Sequence, residues 1–120
     1  MASFVLGRIK SVKYALQGMF YLLFTEHAII SQLGIGVLTL FLGAYFQITK
    51  VEWMVHISLI GFVLAIEGLN TAVEKICNFV HPDFHDQIGT IKDVAAGAVS
   101  FAVFTALVIG IILYYPYFIG

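Results

Sequence analysis

Five polar side chains, Glu67, Asn70, Thr71, Glu74 and Asn78, follow one another at i, i+3, i+4, i+7 and i+11 within the stretch AIEGLNTAVEKICN, residues 65–78. On a helix this spacing puts all five on one face. Elsewhere, Glu26 precedes a long apolar run and the pair Lys92-Asp93 opens another. Carboxylates from separate helices, Glu26 and Glu74, are of the type that holds a divalent cation, and Lys92 can neutralise phosphate. Glu67 can take a proton from a hydroxyl. Together these are the groups that phosphoryl transfer requires. No GxxxxGK[ST] loop and no kinase catalytic loop is present, which excludes the familiar soluble nucleotide folds.

The elements that must carry these groups are set by composition. With 61% hydrophobic and 11% charged residues and a mean hydropathy of +0.99, the chain is far from a soluble domain and reads as an integral membrane protein. Its 120 residues make one domain, 1–120, whose few spans enclose little by themselves, so oligomerisation is expected. A net charge of -1 and the lack of any basic run give no sign of nucleic acid binding. The single cysteine, Cys77, excludes an intrachain disulfide. The N-terminal MASFVLGRIKSVKYALQG lacks the apolar core and small residues of a signal peptide and is expected to stay in the mature protein.

Three stretches, about 28–48, 53–80 and 94–115, are long enough to cross a hydrocarbon core, which takes roughly 20 helical residues. Before them, over about 3–24, Val5, Ile9, Val12, Leu16, Met19 and Leu23 recur at steps of four and three, with Arg8, Lys10, Lys13 and Gln17 elsewhere. That pattern predicts an amphipathic helix suited to a membrane surface or to docking on the protein's own spans. With three crossings, Arg8, Lys10, Lys13, Lys75 and Lys92 share one side against Lys50 on the other, which places the N-terminus in the cytoplasm. Pro82 and Gly89 predict a short loop between the second and third spans. Ala98, Ala102, Ala106 and Gly110, four apart, form a strip where a second helix can approach.

Depth separates the two stripe glutamates. Counted from Trp53 on the outer side, Glu67 lies about 21 Å along the helix, past the midplane, and Glu74 about 10 Å further, near the cytoplasmic interface. An ionisable group at such depth costs at least about 2.5 kcal/mol on insertion scales, so a functional reading of the glutamates outweighs mere interhelical bonding. Asn70 and Thr71 alone fit a packing role. Cys77, His81 and His85 have residue types that bind zinc, but Pro82 interrupts the helix that would align them. His56, towards the outer end of its span, reads as a packing residue.

The segments EGLNTAVEK, HPDFH and IKDVAAGAV closely resemble the signature of the bacterial membrane lipid kinases, the diacylglycerol kinase and undecaprenol kinase family, and Tyr14, Gly18 and Glu26 fall at the family spacing. The resemblance implies an all-α homotrimer of three-span subunits, each preceded by an amphipathic surface helix, in the bacterial inner membrane. It implies transfer of phosphate from MgATP to a lipid hydroxyl at the cytoplasmic interface. By position, Glu67 resembles the general base, and Glu26 and Glu74 the metal-binding carboxylates. Tyr14, Glu26, Asn70, Glu74, Asp83, His85, Lys92 and Asp93 match positions around the nucleotide, and Gln32 and Ala96 join Glu67 on the lipid side. Asn78 stands where the family commonly has aspartate. The run KDVAAGAV is similar to the undecaprenol kinase branch, whereas the diacylglycerol branch commonly has a serine near Ala96, so undecaprenol is favoured.

Two other classes fit parts of the pattern. A proton-coupled exporter also keeps intramembrane glutamates, but the outer halves of the spans carry no acidic residue to give access from both sides. A non-catalytic membrane subunit would show no dependence on nucleotide.

Overall fold

The computed structural model describes residues 1–120 as four helices: α1 (Ala2–Thr25), α2 (His27–Phe46), α3 (Lys50–Val80) and α4 (Asp86–Ile119). The last three are each long and apolar enough to cross a membrane. α3 lies between the other two spans and packs most closely on α4. The molecule measures 53 × 48 × 22 Å. At 34 residues, α4 accounts for one long dimension, about 51 Å. The second comparable dimension needs α1 to run away from the bundle.

The helix ends differ from the sequence expectation by identifiable local chemistry. α2 stops at Phe46 because Gln47 adopts a left-handed conformation (φ 52°), which frees Ile48 to turn into the core. α3 begins at Lys50, ahead of Trp53, because Thr49 and Glu52 form a reciprocal capping box: the Glu52 N–H donates to the Thr49 hydroxyl, and the Thr49 N–H donates to the Glu52 carboxylate at 2.9 Å. Gly89 does not end a helix, contrary to expectation. The loop is only residues 81–85, and Gly89 lies in the first turn of α4, its N–H bonded to the His85 carbonyl at 2.9 Å. His85 caps this helix through Nδ1, which accepts from the Gln87 N–H at 3.1 Å. α4 also continues past residue 115 through Pro116 to Ile119. Proline normally disrupts a helix interior. Here that end is pinned by Tyr114 Oη donating to the Thr39 carbonyl at 3.1 Å, Tyr117 donating to Glu52, and Phe118 edge-on to Phe46.

These contacts surround the one apolar cluster, Ile48, Leu113 and Tyr114, with Trp53 and Phe46 against it. Gly43 makes the cluster possible. A Cβ there would stand 3.0 to 3.1 Å from Trp53, Ile48 and the Tyr114 hydroxyl. His56 is buried beside the Tyr114 ring at 5.7 Å, as a packing residue should be. Of the small-residue strip on α4, Ala102 is the closest-packed residue, 1% exposed. Ala106 and Gly110 instead line a cavity between α2, α3 and α4. Only 12 of 120 residues are buried, so most apolar side chains are left to lipid or to other chains.

Candidate functional site

The polar stripe forms as its spacing predicts, and it grades from buried to open along α3. Glu67 and Thr71 are buried, at 7% and 6% exposure, with the Thr71 hydroxyl donating to the Glu67 carbonyl at 3.2 Å. Asn70 is half-buried, whereas Glu74 and Asn78 are exposed. Asn70 Nδ2 donates to Glu74 Oε1 at 3.1 Å, which leaves Asn70 Oδ1 buried without a partner. A buried orphan acceptor costs roughly 1–3 kcal/mol, so it fits a position completed by a bound group. Glu67 and Glu74, two turns apart, are close enough for their charges to repel, and the Gln32 amide of α2 lies beside Glu67.

Glu26 lies at the break between α1 and α2 and meets α3 through Lys75. It is the only residue between the two helices, extended at φ -99° and ψ 115°, and serves as the C-cap of one and the N-cap of the other. Its carboxylate lies 3.6 Å from Lys75 Nζ. The same ammonium sits 5.2 Å from the centre of the Tyr21 ring. Leu22 packs at the position of the missing Cβ of Gly68, 3.0 Å away. These contacts fasten the end of α1 to α3. Lys75 was not legible as a site residue, since it follows Glu74 and so turns about 100° away from the stripe. Only its neighbourhood to α1 brings it in.

Lys92 and Asp93 lie in the second turn of α4, and the Lys92 ammonium crosses to α3, donating to Asn78 Oδ1 at 2.7 Å. Asp83 and His85 are exposed in the connecting loop. Because His85 Nδ1 accepts a backbone N–H, the neutral ring carries its hydrogen on Nε2, facing outward. His81 Nδ1 bonds the Asp83 carbonyl at 2.8 Å, and its ring lies edge-on to that of His85 at 5.2 Å. Cys77 is buried, and within one chain no three histidine, cysteine or acidic side chains come together as a metal cage. Ala96 is exposed, one turn beyond Lys92 on α4. Tyr14 stands apart. It is 65% exposed, about 18 Å along α1 from Glu26, and a single chain does not bring it to the stripe.

A mainly apolar cavity of about 760 Å³ opens between α2, α3 and α4, lined by Gln32, Gly36, Ile60, Val63, Leu107 and Phe118 among others. Gln32, beside Glu67, is among its lining residues, as are Thr39 and His56. Along α3, the apolar space, the buried Glu67 carboxylate and the exposed polar end with Glu74, Lys75 and Asn78 therefore follow one another.

The chain matches the family model described as prokaryotic diacylglycerol kinase over residues 13–114. It is similar to the undecaprenol kinase of Bacillus subtilis (strain 168), at 32% identity over 74 residues, which cover 62% of this chain and 60% of that protein. It is also similar to the diacylglycerol kinase of Haemophilus influenzae, 31% identical over 78% of this chain and 80% of the relative. The diacylglycerol kinase of Escherichia coli (strain K12) is 26% identical over 92% of this chain and 90% of its own.

Proposed function

The chain belongs to the prokaryotic diacylglycerol kinase family, and from that premise we propose that it transfers the γ-phosphoryl group of ATP to the hydroxyl of a membrane lipid, undecaprenol in preference to diacylglycerol. The observation that carries this reading is the gradient along one face of α3, from a buried Glu67, one turn past Val63 of the apolar cavity, to an exposed Glu74. A lipid alcohol has its chain in the apolar space and its hydroxyl at Glu67, while a nucleotide stays in water at Glu74. Glu67 takes the proton of the hydroxyl as its oxygen bonds to the γ-phosphorus, the bond to the ADP oxygen breaks, and the proton later returns to water. Lys92 offsets charge on the phosphates, with Asp93, Asp83, His85 and Tyr14 around the rest of the nucleotide. Gln32 and Ala96 border the lipid.

Magnesium fits the residues present. It takes one or two carboxylates together with substrate phosphates and water rather than a complete protein cage. Glu74 on α3 and Glu26 at the α1–α2 break, whose partner Lys75 follows Glu74, supply that number, and Asn70, bonded to Glu74, keeps an unpartnered oxygen. When bound, the ion neutralises developing phosphate charge. Preference for undecaprenol rests on the KDVAAGAV run and on the name of the Bacillus subtilis relative.

The exposed apolar row of α1 and its basic residues suit the cytoplasmic membrane surface, and the uncovered faces of the spans suit a homotrimer. In such an assembly Tyr14 meets the nucleotide of a neighbouring stripe. Purified protein given radiolabelled ATP and total bacterial lipid should label a lipid, and its chromatographic identity gives the substrate. No label in lipid would refute the reading. With the N-terminus cytoplasmic in the bacterial inner membrane, alkaline phosphatase fused after Gly120 should be active. An inactive fusion, with a cytoplasmic reporter active in its place, would reverse the orientation.

A further inference from the structure

Two lysines lie at this end of the bundle, Lys75 on α3 and Lys92 on α4, and they are held differently. Lys75 is charge-paired with Glu26 at 3.6 Å, the one ion pair in the chain. Lys92 has no acidic partner. Its Nζ donates at 2.7 Å to Asn78 Oδ1, the amide one turn beyond Glu74 on the stripe face. This is the one side-chain hydrogen bond that joins α3 to α4 at this end; the other, Tyr117 to Glu52, is at the far end.

The chemistry of the two kinds of partner is unequal. A lysine stem has four flexible carbons and a strongly hydrated head, so an ammonium left free samples many positions. A carboxylate would hold it but cancel its charge. An amide oxygen holds it and leaves the charge whole. Glu74 stands one turn from Asn78 on the face that Lys92 reaches, so an uncancelled cation there matters to any anionic ligand arriving.

We propose that Asn78 is a positioning residue for phosphoryl transfer, anchoring the Lys92 ammonium over the α3 stripe with its full positive charge available to the triphosphate. This rests on the reading that Lys92 meets the nucleotide phosphates. Asn78 touches neither substrate and acts through Lys92 alone.

The test is steady-state kinetics on the full-length protein in lipid-detergent micelles, varying MgATP and lipid alcohol separately, for Asn78→Leu, Asn78→Asp, Lys92→Met and the double variant Asn78→Leu/Lys92→Met. Asn78→Leu should raise KM for MgATP roughly fivefold, the factor of one ordinary hydrogen bond, with kcat and the lipid KM unchanged. Asn78→Asp keeps the anchor but pairs the charge, so KM for MgATP rises and depends less on added salt. Lys92→Met should raise KM further, and the double variant should match it. An unaltered MgATP KM in Asn78→Leu, an equal loss in both substrates, or an additive double variant overturns the role of Asn78. Should Asn78→Leu not fold, an unaltered KM and salt dependence in Asn78→Asp does the same. A normal MgATP KM in Lys92→Met instead refutes the assignment of Lys92 to the phosphates, and the anchoring role falls with it.

Discussion

Glu67→Gln is expected to lower turnover by roughly 100-fold or more, the usual scale of general-base catalysis, with KM for MgATP little altered. Glutamine keeps the shape and most of the hydrogen-bonding capacity of glutamate, and only the basicity is lost. Glu67 is buried and makes no ion pair, so its replacement leaves the Glu26–Lys75, Asn70–Glu74 and Lys92–Asn78 contacts in place. Single-turnover measurements with saturating MgATP would locate the loss in the chemical step. Retained turnover with lost MgATP binding would show that Glu67 and Glu74 have exchanged roles.

Glu74→Gln is expected to fail on the other substrate. With one of two carboxylates gone, the apparent affinity for MgATP should fall by roughly 10- to 100-fold or more, and the magnesium concentration for half-maximal rate should rise. The exposed position of Glu74 and its single bond to Asn70 give little reason for the fold to suffer, so the variant should elute as the parent protein does on size exclusion in detergent. Near-normal turnover with unchanged magnesium dependence would remove Glu74 from the site. The two variants together test the division of labour along one helix face: one loses the step, the other the nucleotide.

The stripe and the three spans were legible because they rest on periodicity and on long apolar runs, which survive any choice of neighbours. Helix ends were less legible. The early start of α3 depends on Thr49 and Glu52 bonding each other, and the passage of α4 through Pro116 depends on Tyr114 and Tyr117 reaching other helices. Gly89 misled because a glycine in a first turn costs little once His85 caps the helix. Within the site, Glu67, Asn70 and Glu74 share a helix and could be read together. The contacts of Glu26 with Lys75, of Leu22 with Gly68, and of Lys92 with Asn78 join separate helices, and no spacing in the sequence encodes them. Tyr14 was reached through resemblance alone, and a single chain leaves it distant.

The one-residue break at Glu26 makes α1 a lever whose pivot carries a site carboxylate. The arm is 24 residues, about 36 Å, so a 10° tilt of α1 sweeps its far end through about 6 Å. The Glu26 carboxylate stands only a few ångströms from the pivot, and the same tilt moves it by about 1 Å or less. Large excursions of α1 are thereby geared down before they reach Glu26, while Tyr14, halfway along the arm, moves through about half the sweep of its far end.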